Sequence, residues 1–505
     1  MILATPMLIL ATAAVAAGAA GPEAPRQRVA IEWTAPTGRT IPVMEGESLQ
    51  MALDTARPGD VIALSAGAVY VGPFHLPRKP GDSWILIRTS TPDRELPAEG
   101  RRVGPADAVR MARLQSARES VIFAEPGAHH YRFFGIEMSP SAGAFLQNVA
   151  LIGNQESRPG EQPHHIIFDR CYLHGDPELG SRRGIALNAA HSAVIGSWLS
   201  DFKEEGADSQ AIAGWNGTGP LRIENNYLEA AGENLMFGGA DPAVHDLVLS
   251  DIEIRRNRIA KPLRWMKGAE GAGDPRWSVK NLLELKNARR VVIEGNRFER
   301  NWAQAQNGFA ILFTVRNQDG SAPWSVVEDV RFANNLVMQA GSGVNILGRD
   351  DAAPSGKMRR IAILNNVFSG IDASRWGGSG TLFQILQGTE ELRIEKNTAI
   401  HTGATIVAEG EPHRGFIYRA NLTSKNAYGI IGTGTAPDAP TINAYFPGAL
   451  IEKNSRFTGN RIPVLPPSAG APGPGADLAA VCAALAAEDR PPAGCDSLTS
   501  FILRE

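Results

Sequence analysis

Short runs in which apolar and polar residues alternate fill most of this chain, and alternation with period two marks strands that turn one face inward. The runs end on a frame that returns: an apolar residue, two variable positions, an Asn, then usually another apolar residue within two. It reads Ile223-Glu224-Asn225-Asn226, Ile254-Arg255-Arg256-Asn257, Ile293-Glu294-Gly295-Asn296, Phe332-Ala333-Asn334-Asn335, Ile363-Leu364-Asn365-Asn366 and Ile394-Glu395-Lys396-Asn397, with weaker copies ending at Asn421 and Asn454. Successive Asn positions are separated by 31, 39, 39, 31, 31, 24 and 33 residues. Units this short cannot enclose a core alone, so the period predicts strands stacked coil upon coil.

An Asn at the end of an apolar strand suits a bend, because it tolerates left-handed backbone angles and bonds its own main chain. Stacked on copies of itself, its amide can donate to the Asn one coil away. The prediction is an all-β, right-handed parallel β-helix with an inward Asn at one corner of each coil. Upstream, Cys171, Trp198 and Ile136 stand in the Asn position of the frame. Cys171 is therefore read as a buried, apolar substitute and not as a nucleophile. Counting these frames gives about eleven coils and a rod on the order of 50 Å long.

The chain divides around this solenoid. Residues 1–20 are apolar, uncharged and end in small residues, as a signal peptide does, with an N-terminal membrane anchor as the alternative. The β-helix spans residues 40–462. Ser48 to Ala56 reads as a short helix, capped by Ser48, that closes the open first coil. Residues 89–130 form a less regular segment that wraps the first coils. Residues 463–476 make a Pro/Gly linker, and residues 477–505 a helical tail, with an Ala-rich helix from Asp477 to Arg490; in an oxidising compartment Cys482 and Cys495 could pair across its end.

Composition adds exclusions. The net charge is −3, with no long basic run, which disfavours nucleic acid as a partner. Three Cys are too few for a disulfide framework. Beyond the first twenty residues no stretch is long and apolar enough to span a bilayer.

A rod offers few concave places, but the outward side chains of one stacked strand can line a trough for a linear polymer. If Leu283 and Leu285 point inward, Glu284 and Lys286 point outward; if Phe309, Ile311, Phe313 and Val315 point inward, Arg316 points outward. Asn216, Glu284, Lys286, Arg316 and Asn345 would then share one polar stripe. Trp265 and Trp302 lie on loops; exposed in a groove they would suit stacking on sugar rings, and the alternative for any single Trp is packing of its loop onto the rod. Asp201, Asp208, Glu229 and Glu233 supply carboxylates in and beside a polar loop at 200–210, whereas Asp350-Asp351 reads as a solvated loop pair.

Leu49-Gln50-Met51-Ala52-Leu53-Asp54, then Arg57-Pro58-Gly59-Asp60-Val61-Ile62-Ala63-Leu64 and Ala66-Gly67-Ala68-Val69-Tyr70, resemble the opening segment of right-handed β-helix proteins of the pectate-lyase-like superfamily, most closely the chondroitinase-B and alginate-lyase types. The resemblance implies the β-helix fold, in a superfamily that includes lyases, hydrolases and binding proteins; with the apolar N-terminal segment, the favoured expectation is an exported polysaccharide lyase that cleaves uronate-containing glycans by β-elimination. Lys286 would be the base, Arg316 the clamp on the substrate carboxylate and Glu284 the group that orients Lys286. Asn216, Asn345, Asn317, Trp265 and Trp302 would bind substrate, with Asn317 standing where that family's pattern carries a histidine. Glu233 and Glu284 are candidate Ca²⁺ ligands. The alternatives are a glycoside hydrolase using a carboxylate pair and a non-catalytic solenoid that binds polysaccharide or a surface. The expected partner is an acidic glycan, the expected state a monomer and the expected location periplasmic or secreted.

Overall fold

A computed structural model describes residues 21–33, 35–268, 276–458, 473–491 and 498–504. Three long parallel sheets make a β-helix. The first has fourteen strands, from Thr40–Val43 to Leu450–Glu452; the second has thirteen, from Val69–Val71 to Ser455–Phe457; the third has twelve, from Phe74–Leu76 to Ile430–Gly432. One coil visits them in turn, as Ala288–Glu294, Arg297–Asn301 and Phe309–Thr314 do. The sequence frames fall on consecutive strands of the first sheet, starting at His129–Phe134. Three earlier strands of that sheet lack the frame, so the rod is longer than about eleven coils. The segment at 89–130 also contributes regular strands, Ala112–Ser116 and Ile122–Ala124.

The frame's apolar residue stacks on its own copy. Ile223, Ile254, Ile293, Phe332, Ile363 and Ile394 are register partners in sequence and are all fully buried. Each such side chain contributes about 1.5–3 kcal/mol of burial. The Asn ladder forms as the pattern predicts: Asn257 donates through N and Nδ2 to Asn296 Oδ1, both at 3.0 Å, and the relay runs from Asn226 to Asn454. The left-handed residue, however, is the one before the ladder position. Gly135, Arg170, Gly196, Asn225, Arg256, Gly295, Asn334, Asn365, Lys396, Ala420 and Lys453 all have φ between 49° and 66°. The Asn is needed for its amide, and its neighbour absorbs the bend.

This geometry also moves one substitution. Ser197 holds the ladder position: its N–H donates to Asn226 Oδ1 and its hydroxyl accepts from Cys171 N. Trp198 is one residue later, in the second sheet, stacked on Tyr227 at 3.9 Å. Cys171 is free and fully buried, and burial pushes its thiol up to about 12, as befits a packing residue.

The ends and two faces are covered. The helix Leu49–Thr55, with Ser48 accepting from Met51 N, buries Leu49, Ala52 and Leu53 against the first coils. A second helix, Ala439–Tyr445, packs Ile442, Tyr445 and the following Phe446 on the last coils. Residues 21–33 run along the outer face of the first sheet, from Asp329 and Asp251, which accept from Glu23 N and Arg26 N, to Ile167 and Ala193, which pack on Val29. The tail covers the second sheet, where Val481, Leu485, Leu498 and Ile502 pack on Leu336, Val367 and Leu422. The Ala-rich helix is shorter than predicted, Leu478–Ala484 capped by Asp477, and Leu498–Arg504 is a separate helix. Cys482 is buried there, whereas Cys495, residues 1–20 and most of the Pro/Gly linker lie outside the described residues. Among the described residues no helix is long and apolar enough to cross a membrane.

Candidate functional site

With the first and second sheets overlaid by the chain's own ends, a broad groove lies on the third. It has a volume of about 910 Å³ and follows the outer face over the coils that carry Glu284, Leu312, Asn345 and Leu386. The strand alternation puts them there. Leu283, Leu285, Ile311, Phe313, Val344 and Ile346 are buried in the core, and Glu284, Leu312 and Asn345, register partners on three successive coils, face out. Lys286 and Arg316 follow on adjacent coils, with Arg316 N donating to Lys286 O at 3.1 Å.

Phe309 departs from the predicted alternation. It lines the groove, because the chain turns into the third sheet with two successive residues inward, Ala310 and Ile311. The same pairing occurs at Leu282 and Leu283 and at Leu382 and Phe383. The corner shifts the pattern by one position, a shift that period-two counting misses.

Glu284, Lys286, Arg316 and Asn345 therefore line one opening, but their partners differ from those a lyase would need. Glu284 accepts from Asn281 Nδ2 at 3.1 Å and Thr314 Oγ1 at 3.2 Å, and Lys286 Nζ is 3.6 Å away. The charged neighbour of Lys286 is thus a carboxylate. Arg316 Nη1 donates to Asp350 Oδ1 at 2.7 Å and also to Asp351, so one arm of its fork is already engaged. Burial pushes the Asp350 carboxyl up, but the N–H groups of Ala352 and Asn317 and the Arg316 guanidinium outweigh it and hold the group below its ordinary value. Asp351 keeps 54% of its side chain exposed. Both acids line the groove, although the sequence pattern placed them in a solvated loop. The available signal was their spacing: Asp350 follows Arg316 by 34 residues, one coil of the repeat.

Other expected site residues serve the scaffold. Asn345 Nδ2 donates to Gln384 Oε1 at 2.8 Å along the groove floor. Asn317 borders the groove, but its amide is spent on loops, donating to Pro354 O and accepting from Ala322 N. Asn216 is fully buried, accepting from Ala243 N and donating to Glu156 O, and is not on the stripe. Trp265 and Trp302 are 2% and 4% exposed, packed with Trp277 and Trp376 in a cluster beneath the loops, and cannot stack on a sugar. The remaining carboxylates are committed as well. Asp201 and Glu229 pair with Arg264 at 3.0 and 2.8 Å.

Glu233 is fully buried and accepts from Gln210 Nε2 at 2.8 Å, with Lys280 Nζ at 3.3 Å. Burial, then Glu284 and Asp208, push its carboxyl up. A Ca²⁺ ion takes about six to eight oxygen ligands. Here a lysine ammonium already lies against Glu233, and Glu284 is satisfied by an amide and a hydroxyl, so the two acids do not make a fitting Ca²⁺ cage.

No protein-family model matches this chain, and no curated protein matches its sequence. Solved structures do match. The catalytic unit of a thermostable GH87 α-1,3-glucanase from Streptomyces thermodiastaticus superposes with a TM-score of 0.53 at 12% identity, covering 86% of this chain and 71% of that one. A mannuronic-acid-specific polysaccharide family 6 lyase from human gut microbiota gives 0.46 at 11% identity, covering 83% and 87%. An alginate lyase from Paenibacillus sp. gives 0.31 at 12%, covering 84% and 98%. At these identities the likeness is one of fold, the parallel β-helix.

Proposed function

We propose that the third-sheet groove binds a polysaccharide and hydrolyses a glycosidic bond, with Glu284 and Asp351 as the carboxylate pair. The observation that carries this reading is the groove's charge. Four carboxylates, Glu284, Asp319, Asp350 and Asp351, line it against two cations, Lys286 and Arg316. That balance repels a polyuronate and suits a neutral or weakly charged glycan, whose hydroxyls would meet Gln306, Asn307 and Asn345 while a ring face rests on Phe309. In the hydrolytic step one carboxyl protonates the leaving oxygen and the other activates water or attacks the sugar carbon. Arg316 orients Asp351 for the second task, and Glu284 takes the first. The GH87 glucanase shares the fold, which supports a hydrolase on such a scaffold without specifying the linkage. Export to the periplasm or medium fits a polymeric substrate and the apolar N-terminal residues.

β-Elimination is the second reading, favoured by the adjacency of Lys286 and Arg316 in the same groove. A panel of neutral and uronate polysaccharides separates the two. New reducing ends without ultraviolet absorbance from unsaturated sugars support the hydrolase; unsaturated ends on a uronate polymer overturn it in favour of the lyase. Binding without either product leaves a non-catalytic solenoid. The donor set predicts that a chelator leaves turnover unchanged.

A further inference from the structure

Five of the chain's ten histidines, His129, His130, His164, His165 and His191, gather where the third sheet turns into the first, several coils toward the N-terminus from the groove. His129 and His164 are register partners on adjacent coils, with rings stacked at 4.7 Å and inclined by 4°. His130 and His165 repeat the stack at 4.3 Å, and His191 extends it at 4.8 Å. His130, His165 and His191 have φ of 60°, 55° and 46°, so each corner bends in the left-handed region and sets two ring planes nearly at right angles, His129 to His130 by 86°. The ring nitrogens converge more closely than stacking requires. His129 Nδ1 and His130 Nδ1 are 2.8 Å apart, and ring nitrogens of His129, His130 and His164 all lie within 4.8 Å of one another.

We infer that His129, His130 and His164 form a binding site for a divalent transition-metal ion, a clip joining two successive coils. A metal–imidazole bond of about 2.0–2.1 Å implies nitrogen pairs roughly 3 Å apart. The His129–His130 pair already lies near that spacing, as does His164–His165 at 2.8 Å, and metal binding requires His164 to turn from His165 toward the other two rings. Imidazole donors select zinc, nickel or copper over calcium or magnesium. Asp82 adds an attractive charge toward His130 and His164, opposed at His164 by Arg78. Trp84 stands edge-on to His130 at 5.2 Å and packs in the apolar cluster that holds Val29 and Ile31, so the clip would also secure the N-terminal strap.

The test uses the full chain, stripped with chelator and titrated with Zn²⁺ or Ni²⁺ by calorimetry, and with Cu²⁺ by tryptophan fluorescence. We expect one strong site, quenching by Cu²⁺ that is lost in Trp84→Phe, and a rise in Tm on adding Zn²⁺. His129→Ala with His164→Ala should weaken binding by about ten-fold or more, whereas His245→Ala, at an exposed position with a side chain 79% accessible, should not. Absence of a strong site in the unmodified chain overturns the proposal even if the double variant fails to fold. Affinity unchanged in a folded double variant, or quenching that persists in Trp84→Phe, overturns it equally.

Discussion

The outer faces of the first and third sheets are built from the same backbone repeat and have opposite fates. On the first sheet, outward positions of neighbouring coils carry opposite charges that neutralise each other: Arg290 with Asp251 at 2.7 Å, Arg359 with Glu328 at 2.6 Å, and Arg360 with Asp329 at 2.6 Å. The N-terminal strap then binds the same acids through its backbone. On the third sheet the outward row reads Met236, Glu284, Leu312, Asn345 and Gln384, so Glu284 has no charge on the neighbouring coils of its row and takes its contacts from Asn281, Thr314 and Lys286. A site arises where the self-pairing of the repeat is interrupted and the surface stays open.

Four substitutions and one pH experiment test that contrast. Glu284→Gln should lower hydrolysis by about a hundred-fold or more, with the melting temperature nearly unchanged; full turnover in this variant would remove the groove's assigned acid. Trp302→Ala should cost about 3–5 kcal/mol in denaturant unfolding and leave substrate affinity in the surviving folded fraction unaltered; lost affinity with intact stability would return Trp302 to the binding surface. Arg360→Ala should cost about 1 kcal/mol, since its partner Asp329 is buried while the guanidinium is partly screened by solvent, and should not touch activity. Arg349→Ala, at an exposed pair with Glu411, should stay within about 0.5 kcal/mol of the parent.

The pH experiment concerns Asp350. Its folded carboxyl titrates below its ordinary value, so its contribution to stability is present above about pH 4. It is lost as the pH falls through the lower folded value. Asp350→Asn should remove that portion of the acid-unfolding curve and loosen Arg316; an unchanged curve would mean that the pair contributes nothing.

Much of the scaffold was legible in the sequence because it is a repeat. Ladder asparagines and their stacked Ile or Phe partners occupy equivalent positions one coil apart, so alternation and spacing alone placed Asn226 over Asn257 and Ile254 over Ile293. The same counting carried Glu284, Lys286 and Asn345 to one face. It failed at corners: Phe309 turned outward because Ala310 and Ile311 both turn in, and Trp198 gave its predicted place to Ser197. It also failed on loops, where Trp265 and Trp302 closed on each other and Asp350-Asp351 closed on Arg316.

Local patterning and periodicity are written residue by residue, since strand direction alternates with each side chain and a coil can stack only on its like. Which face stays open is a collective outcome. It depended on where the N-terminal strap, the C-terminal tail and the loops between sheets came to rest, and those positions follow from contacts between residues tens to hundreds of positions apart, which no local pattern encodes.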